Sequence, residues 1–506
     1  MSNRSVYVAG PAAFLLLCCF FAWLSLPSPV SARQWHVRSD ASNGGTGSAW
    51  NPFRTLQQGV DNAWPGDTVL VHQGAYYESV HTVRSGVDST DGVIYYITIL
   101  GAGDGPALVK ARYDQCFWIY PEHDYLWIEG LHMTQAYMDT TAHGAAIRTF
   151  GDYGVFLRNF FYDVEMGVFS EGWEAVLEEE NNRGNYIAHN VFSDAAEAAV
   201  RLKHSSENEV AFNLFYHNSY AIEPVGAVTY YCGLGNRVMN NTFWNNAGPA
   251  VMVYNGTGSE YCIPSGASEV RDNIFARPDP GPLFEVQEKT AEDTTSIYSH
   301  NLFWGPDSGS QVVIWGCDEW GQGGLTWTVN QFVLKGDSLN SQTGEGTFFA
   351  DPLFEDPWNL AFDLLPGSPA IDAGSRSAVQ AGADSLTAVV SQALDAGPVD
   401  LGYHHPPEIY QVNPPLDLDP GLVVYPNPYN GSGGLHFTLP NVGYPRRITG
   451  GVYDVRGRKV TEFRLPDEPF NQYSLPWDAK NMPSGIYLLR MTIDGSVTSS
   501  RILLLK

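Results

Sequence analysis

Apolar and polar positions alternate with period two along much of this chain, in short bursts that recur at nearly constant spacing. The clearest burst ends in Asn, one residue and Phe, at Asn159/Phe161, Asn190/Phe192, Asn213/Phe215, Asn241/Phe243, Asn273/Phe275 and Asn301/Phe303. The asparagines are 31, 23, 28, 32 and 28 residues apart. A second phrase lies upstream of them, at Ala146-Ile147, Ala199-Val200, Ala221-Ile222, Ala250-Val251 and Leu283-Phe284. No segment between the two phrases sustains a 3.6-residue period. Self-similarity on this scale marks a solenoid, in which each repeat buries its apolar face against the next. Strand periodicity makes it an all-β chain, a right-handed parallel β-helix. The asparagines are expected at a tight corner with left-handed φ, which Asn tolerates at low cost. Their amides would bond the same Asn one coil above and below, and the phenylalanines would stack inside.

The two ends read differently. Residues 35–80 give a strand, a Gly/Ser turn, a short amphipathic helix over 53–63, a Pro65-Gly66-Asp67 turn and another strand. A solenoid needs such an element to plug its open end. Residues 405–420 are Pro-rich and read as a linker. Beyond them, short alternating strands over 421–425, 434–439, 448–454, 459–463, 485–493 and 498–505 predict a small β-sandwich. The expected division is therefore 1–32 leader, 33–404 capped β-helix, 405–420 linker and 421–506 sandwich.

Composition adds the compartment. Residues 12–26 form an apolar run after Arg4, and Val30-Ser31-Ala32 supplies a small-x-small cleavage pattern, so a signal peptide ending near Arg33 is expected. The run is too short to span a bilayer, and no later stretch replaces it, so no transmembrane anchor is expected. Of six cysteines, Cys116, Cys232, Cys262 and Cys317 follow the leader. Cys232 and Cys262 occupy equivalent loops of adjacent coils, which makes a disulfide in an oxidising compartment one reading and two free thiols the other. The net charge of −27 argues against nucleic acid and anionic membranes as partners.

Residues 52–78 resemble the amino-terminal cap and first coil of secreted bacterial β-helix proteins, through Pro52-Phe53, Thr55-Leu56-Gln57 and Pro65-Gly66-Asp67-Thr68-Val69. The resemblance continues to Ala350-Asp351-Pro352-Leu353-Phe354, Leu365-Pro366-Gly367-Ser368-Pro369-Ala370 and Val399-Asp400-Leu401-Gly402, about two-thirds of the chain. That group includes pectate, alginate and chondroitin lyases, epimerases and adhesins, so it implies the fold and leaves the reaction open. Tyr425-Pro426-Asn427-Pro428, the run from Val452 to Arg458 and Pro483-Ser484-Gly485-Ile486-Tyr487 resemble the carboxy-terminal sorting domains of the type IX secretion pathway. The implied partner is the secretion machinery, and the implied location is outside the cell or on its surface.

Chemistry is expected on the outward positions of one strand per coil, fixed by alternation as Arg148, Glu178 or Glu179, Arg201 with Lys203, Glu223, Tyr254 and Glu285. Coils lie about 4.8 Å apart, so these groups fall within reach of one sugar ring. Loops add His204, Asn181, Asn182 and His189. β-Elimination on a uronic acid needs a cation to neutralise the carboxylate, a base for the C5 proton and an acid for the leaving oxygen. Lys203 is the candidate base, with Arg201 on the same face disfavouring a second positive charge. Arg148, or Ca²⁺ held by Glu178, Glu179 and Glu180, is the candidate neutraliser. Arg201-Leu202-Lys203-His204 resembles the catalytic-lysine coil of β-helix alginate and chondroitin lyases, except that Glu223 stands where an Arg is expected on the following coil. Glu223, Tyr254 and Trp173 are candidate substrate contacts, with Tyr216, Tyr230 and Tyr231 as further groove aromatics. Paired aspartates of the polygalacturonase kind are absent from the sequence. The expectation is a monomer acting on an acidic polysaccharide as a lyase or epimerase; the alternative is a non-catalytic glycan-binding or adhesive surface protein.

Overall fold

A computed structural model describes residues 32–90, 92–111, 114–137, 144–172, 182–219, 225–254, 266–287, 295–317, 324–339 and 343–407. Towards the carboxy terminus it describes 423–425, 434–438, 448–454, 459–464, 472–476, 479, 482, 485–493 and 496–504. The chain divides into two compact units, one formed by residues 1–352, 369–377 and 397–404, the other by 353–368, 378–396 and 405–506. The first is a right-handed parallel β-helix. Three sheets run its length, and each coil gives one strand to each sheet.

The first sheet runs in parallel register from Gln34–Val37 to Ile297–Ser299, the second from Gly74–Tyr76 to Phe348–Phe349. The third runs from Val80–His81 to Val313–Cys317 and ends on the antiparallel strand Leu325–Trp327. Like side chains stack along the axis because register repeats from coil to coil. Phe161, Phe192, Phe215 and Phe243 lie nearly parallel with centroids 4.6, 4.9 and 4.7 Å apart, and all are buried. The asparagines behind them form the expected ladder: Asn190 Nδ2 donates to Asn213 Oδ1 at 3.0 Å, Asn213 to Asn241 at 3.0 Å, Asn241 to Asn273 at 3.1 Å and Asn273 to Asn301 at 3.0 Å.

One expectation about that corner is corrected. The left-handed residue is the one before each Asn: Arg158, His189, Phe212, Asn240, Asp272 and His300 all have φ between 50° and 61°. The Asn turns its side chain inward to the ladder, so the reversal falls on the preceding residue. A second ladder, Asn185–Asn208–Asn236, runs along another corner with amide bonds of 3.0 and 2.9 Å.

Both ends are plugged. The helix Leu56–Asn62 starts at Thr55 in a capping box with Gln58, and Glu78 accepts the N–H groups of Leu56 (2.8 Å) and Gln57 (3.1 Å). Leu56 and Val60 close the core. A second helix, Val329–Leu339, buries Val329 and Phe332 against Trp315 and Trp327 at the other end; the repeat pattern gave no sign of it. Residues 369–377 and 397–404 strap the corner of coils 240–272. Ser375 donates to the fully buried Asp272 carboxylate, Arg376 Nε lies 3.5 Å from it as an ion pair, and Tyr403 N–H donates to Thr242 at 2.9 Å.

In the second unit, Phe354–Asp356 pairs with Ala361–Leu364, and His405 Nε2 bonds Asp363 at 2.7 Å. Its carboxy-terminal part has two antiparallel sheets, one of three strands including Gln472–Pro476, which the sequence reading missed, and one of four.

Candidate functional site

The third sheet carries the chemistry-bearing face. Its inward column is Val80, Phe117, Ile147, Val168, Val200 and Val228, all fully buried. Alternation then turns His81, Trp118, Arg148, Phe169 and Arg201 outward in direct register, with Glu171, Lys203 and Tyr231 in the next outward column. The face is closed further along, where Thr229, Met252 and Glu285 are buried. Within the coils from His81 to Lys203 the Phe169 ring is buried too, while Arg148, Glu171 and Lys203 keep partial exposure.

Charge on this stretch is paired. Arg148 Nη2 lies 2.5 Å from Glu171 Oε2, and Lys203 Nζ lies 3.4 Å from Glu171 Oε1. Arg201 Nη1 lies 3.3 Å from Glu197. The Arg148 guanidinium is also boxed by aromatic rings, with Trp118, Phe150 and Phe169 centroids at 5.1, 5.3 and 5.1 Å. From Trp118 onward, column order alternates rings and cations: Trp118, Arg148, Phe169, Arg201. The Arg148 and Glu171 side chains are each 14% exposed, and Lys203 is 23% exposed, so the three are screened less than surface ion pairs. His81 Nδ1 bonds the Tyr120 hydroxyl at 3.0 Å, adding an aromatic edge to the same face.

The structure confirms some of the expected placements and redistributes others. Arg148, Arg201 and Lys203 stand outward as alternation predicts, Arg148 two coils away from the other two. Between Arg148 and Arg201, however, the coil contributes Met166–Glu171, so Phe169 and Glu171 hold the ladder positions expected for Glu178 or Glu179. The signal was Gly167-Val168, a glycine standing where other coils have Ala. A Cβ at Gly167 would lie 2.6 Å from the Ala199 carbonyl oxygen and from the Phe192 ring, so this position admits only glycine. Likewise the coil after Lys203 uses Ala227-Val228 and not Ala221-Ile222. Thr229 and Tyr231 therefore pair with Arg201 and Lys203 where Glu223 was expected. Tyr254 holds the strand position paired with Tyr231. Trp173, Glu178, Glu179, Glu180, Asn181, Glu223 and Cys262 lie outside the described residues.

Other candidates sit elsewhere. His204 is a buried corner residue with φ of 49°, edge-on to Tyr231 at 5.6 Å, and does not stand on the open face. Asn182 is buried and bonds the Gly151 carbonyl at 2.7 Å and the Ser205 hydroxyl at 2.6 Å. His189 lies at the Asn-ladder corner, stacked on Phe212 at 5.1 Å, and burial pushes its pKa down to about 4. Tyr230 points into the core, and Tyr216 is buried on the second sheet. Cys232 is disulfide-bonded. Sequence reasoning missed Trp118, Phe150, Phe169, Glu171 and Glu197, all of which build the site.

Residues 423–505 match the secretion system C-terminal sorting domain, and residues 129–282 match the periplasmic copper-binding protein family NosD. No curated protein sequence matches the chain significantly. Among solved structures, the chain is similar to the pectate lyase Pel9A at 12% identity, with TM-score 0.39, covering 74% of this chain and 96% of that one. A rhamnogalacturonan lyase matches at 12% identity, with TM-score 0.39, over 56% of this chain and 85% of that one. XylC in complex with xylose matches at 10% identity, with TM-score 0.37, over 93% of this chain and all of that one. Among the described residues of 129–282, no three His, Cys, Asp or Glu side chains converge on one point. No helix among the described residues is long and apolar enough to cross a membrane.

Proposed function

We propose that this is an exported β-helix protein acting on an acidic polysaccharide by β-elimination at the Arg148–Glu171–Lys203 face. The observation that supports the reading most is the set of three cations, Arg148 on one coil and Arg201 with Lys203 two coils on, turned outward on one face beside aromatic rings. In this reading Arg148 neutralises the uronate carboxylate, which acidifies the C5 proton; Lys203 takes that proton, the C4–O bond breaks as the C4–C5 double bond forms, and the lysine ammonium returns the proton to the leaving oxygen. Ca²⁺ on Glu178, Glu179 and Glu180 is the alternative neutraliser, and assays with and without the ion or a chelator separate the two. The match to a sorting domain supports export to the outside or to the cell surface.

The test is turnover of a panel of uronate polysaccharides by the mature protein, read as absorbance of the unsaturated product. Lys203→Ala should lower the rate by roughly 10²–10⁴, the usual size of a general-base contribution, with stability nearly unchanged. Full activity in that variant ends the assignment. A second reading, glycan binding without turnover, is favoured by one observation: Arg148, Lys203 and Arg201 each already have a carboxylate partner. Binding of the polymers with no unsaturated product would decide for it.

A further inference from the structure

We infer that Glu171 is an internal stand-in for the ligand's carboxylate, and that an acidic sugar binds this face by displacing it. The inference rests on the reading of the face as a uronate site and deepens it.

Glu171 presents its two oxygens to two different cations: Oε2 to Arg148 at 2.5 Å and Oε1 to Lys203 at 3.4 Å. A hexuronate carboxylate taking the place of Glu171 would keep the bond to Arg148, and the departure of Glu171 would free Lys203 for the C5 proton. The two sides are unequally fixed. Arg148 is held by three rings whatever Glu171 does, whereas the Lys203 contact is long and its stem flexible. The clamp is thus built around Arg148, and Glu171 reaches into it diagonally from the next coil. The residue in direct register with Arg148 is Phe169, and the one in register with Glu171 is Lys203.

Displacement has a cost that a neutral ligand does not meet. A hexuronate must release Glu171 from both cations before its own carboxylate enters, so the internal carboxylate weakens binding of every acidic sugar. It also raises the barrier to weak anions, because only a ligand that adds ring contacts along Trp118 and Tyr120 recovers what the clamp loses. The ligand class is a carboxylate-bearing pyranose within a chain.

The sign of one substitution tests this. Glu171→Gln keeps the size and removes the competing charge. Affinity for oligouronate, measured by calorimetry on the full mature chain, should rise roughly 5- to 10-fold, from the difference between charged and neutral partners at partly exposed sites. The gain should vanish on the methyl-esterified oligomer, which has no free carboxylate. If Glu171 instead positions Lys203, the variant binds the acid no more tightly, or less tightly, than the parent; that result overturns the inference and leaves the uronate reading standing. If neither protein binds oligouronate while both show unchanged unfolding midpoints, inference and reading fall together. Tighter binding without turnover keeps the inference and removes only the elimination step. Should Glu171→Gln fold poorly, Glu171→Ala carries the same comparison.

Discussion

The Asn ladder should be measurable as stability, and Asn213 is the rung to remove. Its side chain is fully buried, donates to the Ile187 carbonyl at 2.8 Å and to Asn241 at 3.0 Å, and accepts from the Asn190 backbone N–H at 2.9 Å and the Asn190 amide at 3.0 Å. In Asn213→Ala the Asn190 amide keeps its bond to the Phe156 carbonyl at 2.9 Å, but the Asn190 backbone N–H loses its acceptor in a site without water access. A buried donor left unpaired costs about 1–3 kcal/mol, and the other lost bonds add about 1 kcal/mol, for a total of roughly 2–4 kcal/mol. Because coils couple mainly to their neighbours, the damage should be local as well as global. The assay is urea unfolding together with hydrogen exchange. The unfolding midpoint should fall, and the Asn190 amide should exchange faster while amides near the Leu56–Asn62 helix keep their protection. A midpoint shift worth less than about 0.5 kcal/mol, with Asn190 still protected, would refute the claim that the ladder carries stability.

Two further outcomes follow from single residues. The disulfide of Cys232 should be to Cys262: peptide mapping of the unreduced protein should recover the two in one fragment, and recovery of Cys232 joined to another cysteine would refute the equivalent-loop argument. His189 should make the β-helix acid-sensitive. Burial is the main cause that lowers its pKa to about 4, with Arg158 and His404 adding to it and the His404 carbonyl opposing, so the folded state resists the proton that the unfolded state accepts near 6.5. Its contribution is present above pH 6.5 and is lost as pH falls towards 4. Unfolding midpoints for His189→Phe should decline less steeply across that window than those of the parent, and parallel slopes would count against the argument.

What the sequence made legible was whatever repeats along the axis. Phe215 sits between Phe192 and Phe243 because every coil must present the same shape at the same place, so core periodicity survives in the primary structure. The Asn ladder survives for the same reason: a buried amide that lacks its neighbour is costly, so each coil keeps it. The left-handed position does not repeat as a residue type. Arg158, His189, Phe212, Asn240, Asp272 and His300 share a backbone conformation and nothing else, since their side chains leave the core and only the corner geometry is common. Spacing therefore revealed that a corner exists and misplaced it by one residue.

The site was harder to read for a related reason. Alternation placed Arg148, Arg201 and Lys203 outward correctly because each follows a recognisable small–apolar pair on its strand. It failed where the small residue changed identity, at Gly167, and where a second small–apolar pair lay nearby, Ala221-Ile222 ahead of Ala227-Val228. Connections between strands vary in length without disturbing the core, so counting along the chain cannot tell which pair faces inward. Glu171 was consequently missed in favour of Glu178 and Glu179, although its strand is fixed by Val168 packing between Ile147 and Val200. The carboxylate that bridges Arg148 and Lys203 is defined by register across two coils. Register is a property of stacked neighbours and not of any one segment. In a solenoid the core can be read from one coil at a time, but an outward site requires three coils aligned at once.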